Sequence, residues 1–255
     1  MSRKQDEIIA SATSSLQPSA GENAVSAPEL EWLSDGVPRA PAFGDTYFSR
    51  AGGLAETRHV FLAGNGLPER WQAGDDFIIA ELGFGTGLNF LTTLHAMQQM
   101  PQPPKLTFLS FELFPMTAEQ LSRALGAFPE LETQAEALLR AWSPEPGWNR
   151  WCVQDVDLVI GVGDARTLLA DAGRQLPAGK GVDAWFLDGF SPSKNPELWG
   201  EELLVEVYRS TANGGTLATY TAAGWVRRNL SGAGFNIEKR KGFAGKREMV
   251  VGWKA

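Results

Sequence analysis

The feature that most constrains this chain is Phe77-Ile-Ile-Ala-Glu-Leu82 running directly into Gly83-Phe-Gly85-Thr-Gly87-Leu-Asn89. A short apolar run that ends in glycines is a buried strand feeding a tight turn, and Leu88 to Met100 can form the helix that follows. Glycines let the backbone turn sharply and approach a ligand with no Cβ in the way. A dinucleotide site would need G-x-G-x-x-G, with its third glycine at position 88, which is Leu88 here. The pattern is instead acidic-x-G-x-G-x-G, which suits a cofactor without a pyrophosphate and sets Glu81 near its ammonium group. A purely structural strand-to-helix turn competes with this reading, and the glycine triplet in this context makes ligand binding the stronger of the two.

Strands and helices alternate from this point on. Leu106–Phe111 is a strand ending at Glu112, and Thr117–Arg123 opens with a capping box of Thr117 and Gln120. Glu130–Arg140 reads as helix, Val156–Val162 as a strand before Asp164, and a further helix starts near Thr167. Val182–Leu187 is a strand ending at Asp188; Glu201–Ala212 is a helix stopped by Asn213-Gly-Gly215; Thr216–Tyr220 is the next strand. A helix over Trp225–Ala233 and strands Phe235–Arg240 and Glu248–Trp253 complete the series. The short link Gly242–Gly245 makes the closing pair a hairpin. The expected architecture is therefore α/β: a mostly parallel seven-stranded sheet with one antiparallel strand, covered on both faces, over residues 76–255. Residues 29–75 are expected to be a small N-terminal extension of hairpins and loops with a helix near Arg58–Leu62. Residues 1–28, rich in Ser, Ala and Gly, are expected to be a disordered leader.

Three more acids stand where strands end, the edge at which open parallel sheets bind ligands. Glu112 can accept both hydroxyls of a ribose, Asp164 an adenine amine, and Asp188 faces the reacting end. Any one of them can be a helix N-cap, and Asp164 most easily. Four acids at four successive strand ends, counting Glu81, outweigh that alternative and fit S-adenosyl-L-methionine. Phe84, Thr86 and Asn89 of the glycine loop, and Ala165 beside Asp164, complete the expected contact set. The loop Asp188-Gly-Phe190-Ser-Pro192-Ser-Lys194-Asn-Pro196 joins a carboxylate to an aromatic ring and stiffening prolines. It is similar to the Asp-Pro-Pro-Tyr loops of amine methyltransferases, in which a carboxylate and backbone oxygen orient the target nitrogen. Phe190 is placed to stack on a planar base or to contact the cationic methyl donor, and Lys194 to contact substrate.

The net charge of −7 excludes a protein that coats nucleic acid with its whole surface, yet its distribution is uneven. From Trp225 to the end, eight basic residues face only Glu238 and Glu248, so this part is +6 and the remainder −13. A local anionic partner and a solvated face fit that patch equally well. The single Cys152 excludes an internal disulfide and a cysteine-built metal site; His59 and His95 are too few for a zinc cluster, so no metal is expected. One thiol, no signal peptide and no apolar stretch of spanning length point to the cytoplasm and to no membrane anchor.

Several stretches resemble the MnmC-type tRNA methyltransferases: Glu81–Leu91, Ser110-Phe-Glu112, Asp183–Pro192, Lys239–Phe243 with Lys246–Met249, and, nearer the start, Asp45–Ser49, Glu56-Thr-Arg58 and Val60–Asn65. The resemblance runs from about residue 29 to the end. It implies a class I methyltransferase Rossmann-like fold and methylation of the aminomethyl nitrogen of 5-aminomethyl-2-thiouridine, the modified wobble base of certain tRNAs. It carries cofactor contacts to Glu81, Gly83, Gly85, Gly87, Glu112 and Asp164, the catalytic acid to Asp188, and pocket positions to Tyr47 and Asn65. It makes the basic residues Arg227, Arg228, Lys239, Arg240, Lys241, Lys246 and Arg247 contacts to the tRNA backbone around the anticodon loop. Many relatives continue into an FAD-dependent oxidase that supplies the aminomethyl substrate. With no second glycine fingerprint in this chain, no flavin is expected, and the oxidase is expected as a separate or fused partner. The rival readings are methyl or aminopropyl transfer to another amine and a non-catalytic RNA-binding protein on the same fold; methyl transfer that depends on undermodified tRNA separates them.

Overall fold

The structure, a computed structural model, describes residues 26–72 and 75–255. The expected leader therefore lies outside the described residues as far as residue 25. The extension opens with three short antiparallel strands, β1 (Glu31–Trp32), β2 (Pro38–Ala40) and β3 (Asp45–Thr46). A helix follows, starting earlier than the sequence indicated. It begins as α1 (Gly53–Glu56), widens into π-type turns over Thr57–Leu62, and closes with a 3-10 turn over Ala63–Asn65.

The main sheet has eight strands. Its centre is β4 (Asp76–Leu82), flanked in parallel by β5 (Lys105–Glu112) and β8 (Val182–Leu187). Outward from these lie β7 (Val156–Val162) and β9 (Thr211–Thr219), also parallel. Beyond β9, β11 (Glu248–Trp253) runs antiparallel and pairs with β10 (Asn236–Lys241) at the edge. The expected seven-strand series is thus present. An eighth strand, β6 (Gly147–Val153), adds a second antiparallel member beside β7. It escaped sequence reading because its turn, Gln154-Asp155, takes positive φ at both residues (48° and 68°) without the glycine that normally signals such a hairpin.

Helices cover both faces. On one, Phe77, Ile79, Phe108, Ile160 and Phe186 pack with Phe90, Leu91 and Leu94 of α2 (Leu88–Gln98) and with the extension's helix; α3 (Ala118–Leu125) and α4 (Glu132–Ala141) complete that layer. On the other, Ile78, Leu109, Val159 and Trp185 pack against α6 (Glu201–Ser210) and α7 (Gly224–Ala233), with the short α5 (Ala165–Leu168) nearby. The parity of β4 generates both faces: residues 77 and 79 point one way, 78, 80 and 82 the other. Each such fully buried side chain contributes about 1.5–3 kcal/mol. Asn213-Gly-Gly215, expected to stop a helix, instead forms an irregular stretch inside β9: α6 ends at Ser210, and the register with β8 shifts between Val182 and Ala184.

Candidate active site

At the carboxyl edge of the sheet, beside the central strand β4, lies a cavity of about 730 Å³. The chain runs from β4 outward through β5 to β7 and then returns to β8 on the other side of β4, so the loops after β4, β5, β7 and β8 diverge and leave room between them. Gly83, Gly85, Glu112, Asp164 and Asp188 all line it. Three of the four strand-end acids, Glu112, Asp164 and Asp188, are brought together there by the topology.

The glycine loop is held by β5. The amides of Gly83 and Phe84 both donate to the Phe111 carbonyl (3.1 and 2.9 Å), and the Gly85 amide donates to Glu112 Oε2 (2.8 Å). Gly83 is left-handed (φ 86°), and a Cβ on it would lie 3.4 Å from the Gly189 Cα, so the loops after β4 and β8 abut backbone to backbone. Gly87 differs from the expectation. Its φ of 72° requires glycine, but the space a Cβ would take belongs to the Phe84 ring, 2.9 Å away, and not to the cavity. Phe84 in turn stacks on Trp142 at 5.2 Å. Gly87 is therefore a packing glycine, while Phe84, Thr86 and Asn89 reach the cavity wall.

Glu81 also departs from its expected place. It shares the parity of Phe77 and Ile79, so its side chain enters the layer under α2, where it is 0% exposed and off the cavity wall. Ser110 Oγ, its register partner on β5, donates to Oε2 (2.7 Å), and Asn89 Nδ2 donates to Oε1 (2.8 Å). The same Asn89 amide donates to Asp188 Oδ2 (2.8 Å), while Asn89 Oδ1 accepts from the Thr57 hydroxyl (2.8 Å). Asp188 Oδ1 accepts from the Gly189 amide (2.8 Å). Ser110, Glu81, Asn89 and Asp188 thus form one chain that fixes the Asp188 carboxylate. Ser110 and Thr57, unassigned from sequence, lay inside motifs already conspicuous there.

The extension supplies the opposite wall. Phe43 stacks on Phe190 (4.5 Å), Tyr47 meets Phe190 edge-on (5.1 Å), and Asp45 Oδ2 accepts from the Ser191 amide (2.9 Å). Tyr47 and Phe190 line the cavity. Lys194 does not: its ammonium donates to the Gly44 carbonyl (2.6 Å), tying the loop to the extension from outside. Asn65 is also corrected. It is 1% exposed, donates to the Phe61 and Trp185 carbonyls and accepts from Thr216, joining helix and sheet below the site. Among the expected tRNA contacts, Lys246 alone lies on the cavity wall, with its ammonium 2.6 Å from Glu56 Oε1. Lys239 and Arg240 make exposed ion pairs with Glu248 and Glu238.

Burial pushes Asp188 up to about 6; the Gly189 and Asn89 donors oppose that shift, Glu56 adds to it and Lys246 counters it. Burial raises Glu112 against the amides of Phe114 and Gly85, and raises Glu81 well above the carboxylate range. For Asp164, the N-cap of α5, burial is outweighed by Arg166, whose backbone amide and guanidinium donate to it, and its carboxyl sits below the ordinary value. The cavity wall carries seven acids against three basic side chains, a field suited to a cationic ligand. A nucleoside sulfonium fits what is present: a glycine floor, a carboxylate with free lone pairs at Glu112, an acid and amide edge at Asp164 and Ala165, and a net-acidic wall.

Comparison with known proteins agrees. A family model described as S-adenosyl-L-methionine-dependent methyltransferase matches residues 129–255. The tRNA 5-methylaminomethyl-2-thiouridine biosynthesis bifunctional protein MnmC of Ectopseudomonas mendocina (strain ymp) is 48% identical over 231 residues, covering 88% of this chain and 34% of that protein. The protein so named from Aeromonas salmonicida (strain A449) is 45% identical over 234 residues, 88% of this chain and 35% of its own length. The chain thus spans about a third of the length of the curated relatives it matches. Among solved structures, MNMC2 from Aquifex aeolicus superposes with a TM-score of 0.67 at 23% identity, over 99% of this chain and 78% of that one, which establishes the shared fold.

Proposed function

We propose, for a chain homologous to the methyltransferase part of the MnmC-type proteins and therefore an S-adenosyl-L-methionine-dependent methyltransferase, that it methylates the aminomethyl nitrogen of 5-aminomethyl-2-thiouridine at the tRNA wobble position. S-adenosyl-L-methionine supplies the electrophilic methyl group on its sulfonium. The backbone at Gly83 and Gly85 would hold the methionine part, Glu112 the ribose hydroxyls, and Asp164 with Ala165 the adenine edge. Methyl transfer needs an in-line lone pair, so the acceptor amine must react neutral and well oriented. Asp188 accepts its hydrogen bond or proton there, and Phe190, Phe43 and Tyr47 hold the planar base.

The observation that supports this most is the fixed state of Asp188. Its carboxylate is clamped by Asn89 and the Gly189 amide, faces the acidic cavity, and is ionised above about pH 6. The test is labelled methyl transfer to tRNA from cells lacking the modification. Asp188→Asn should lower kcat by about 100-fold or more, and transfer undiminished in that variant removes Asp188 from its role. Arg227, Arg228, Lys239, Arg240, Lys241 and Arg247, on α7 and the β10–β11 hairpin, contact the anticodon-loop backbone. The ion pairs of Lys239 and Arg240 are solvent-exposed and weak enough for phosphate to replace them. The wobble base lies in a single-stranded loop and is turned into the cavity at little cost. An FAD-dependent oxidase, fused or separate, supplies the aminomethyl acceptor.

A further inference from the structure

Lys246 lies in the β10–β11 link, in the most basic part of the chain, yet its side chain turns toward the cavity. Its ammonium is 2.6 Å from Glu56 Oε1 and 4.7 Å from the centre of the Tyr220 ring. The Glu56 side chain is only 14% exposed, against 47% for Lys246, so the carboxylate is the built part and the lysine the movable one. Tyr220 is fixed by its own hydroxyl, which donates to the Gly189 carbonyl (2.9 Å) next to Asp188. Thr57, the residue after Glu56, bonds the Asn89 that clamps Asp188. Glu56, Tyr220, Lys246 and Asp188 all line the one cavity.

A carboxylate beside an aromatic face is a seat for a primary alkylammonium. The ε-ammonium of lysine is the same group as the ammonium of an aminomethyl acceptor: one carbon chain ending in CH2–NH3⁺. We propose that Glu56 and the Tyr220 ring form the seat that receives the acceptor's ammonium, and that Lys246 occupies this seat in the free protein and gives it up to the incoming amine. This rests on the acceptor being an amine, as proposed above. The exchange swaps one cation for another at Glu56, so no charge is left unpaired in the cavity at any point. The ammonium then sits beside Asp188, whose carboxylate takes the proton that the nitrogen must give up before its lone pair can attack the methyl group. It also gives Lys246 a role different from the phosphate contact its position in the sequence implied.

The two roles predict opposite signs. If Lys246 competes for the seat, Lys246→Met lowers the KM for aminomethyl-tRNA about threefold, the size of one solvent-accessible ion pair. Glu56→Gln raises that KM about tenfold or more, because a charge-assisted hydrogen bond to the acceptor is lost. In the double variant the lysine substitution has no further effect. The acid limb of kcat/KM provides a readout that mere structural damage would not reproduce. Asp188 is faced by Glu56, Lys246 and Tyr220, with Glu81 behind Asn89. Removing the lysine charge moves the limb up in pH, and neutralising Glu56 moves it down. A KM that rises on Lys246→Met in both backgrounds, with a shallower salt slope, overturns the seat and makes Lys246 a phosphate contact. An unchanged KM in Glu56→Gln overturns it as well. Should Glu56→Gln not fold, the sign of the Lys246→Met effect alone decides. Absence of transfer by the wild type to this tRNA instead removes the functional reading, and the seat with it.

Discussion

Asn89 carries more of the site than any other single side chain, because one amide holds two carboxylates apart. Its Nδ2 group donates to both Glu81 and Asp188, and its Oδ1 is pinned by Thr57. Asn89→Ala strips a donor from each acid and leaves the Thr57 hydroxyl without its acceptor, so it should destabilise the fold by about 1–3 kcal/mol. It should also lower kcat more than it weakens cofactor binding, which kinetics and calorimetry measured together would reveal. Asp188 gives a pH prediction with two faces. Its carboxyl lies near 6, raised from its ordinary value, so activity that needs the carboxylate climbs as pH rises through about 6. Stability moves the other way: the folded protein holds this proton more tightly than the unfolded chain, so stability falls between about pH 4 and 6 as the proton is lost. Asp188→Asn should therefore melt higher than wild type at pH 7, with the gap closing toward pH 4. At this scale the sequence was informative wherever an acid follows a strand, as at Glu112, Asp164 and Asp188. Glu81 was read too simply. Its parity with Phe77 and Ile79 already directed it under α2, but its partners Ser110 and Asn89 come from other elements, and only the packed sheet brings them together.

Among the elements, the glycine loop and the cap of α3 make contrasting tests. Gly87 holds φ 72° with the Phe84 ring where a Cβ would go. Gly87→Ala therefore combines left-handed strain of about 1–2 kcal/mol with displacement of a core ring. Cofactor affinity should fall together with Tm, since Phe84 and Gly85 move with it. Thr117 caps α3 far from the chemistry, with its hydroxyl accepting from the Gln120 amide and Gln120 returning the bond. Thr117→Ala should cost about 1 kcal/mol and leave the kinetics unchanged. The capping box was legible because its signal is local, a threonine three residues before a glutamine. The strands β4, β5, β7 and β8 were legible for the same reason, as compact apolar runs beside turn residues. What the sequence concealed was non-local or wrongly punctuated. The edge strand β6 carries Trp148, Arg150 and Cys152 in no clean alternation and turns at Gln154-Asp155 without glycine. Asn213-Gly-Gly215 looks like a helix stop, yet it lies inside β9, in the register shift between the Val182–Thr211 and Ala184–Thr216 pairs.

The molecule as a whole separates its charges: an acidic chamber, with seven acids to three bases on its wall, beside a basic hairpin and helix. The first suits a cationic donor and amine, the second a phosphate backbone, and a single uniform surface could not serve both. Reversing Arg227, Arg228 and Lys241 together should raise the tRNA KM and flatten its salt dependence by roughly one unit of slope per lost phosphate contact, while cofactor affinity stays fixed. An unaltered slope would take these residues out of the interface. The extension has a further consequence. Phe43 and Asp45 close the chamber by meeting Phe190 and Ser191, about 146 positions further along the chain. The wall opposite the glycine loop is therefore a ribbon borrowed from a distant part of the polypeptide. If this ribbon sorts acceptors as the proposed function implies, grafting residues 40–50 from a relative should transplant the preference among acceptors and leave donor affinity where it was.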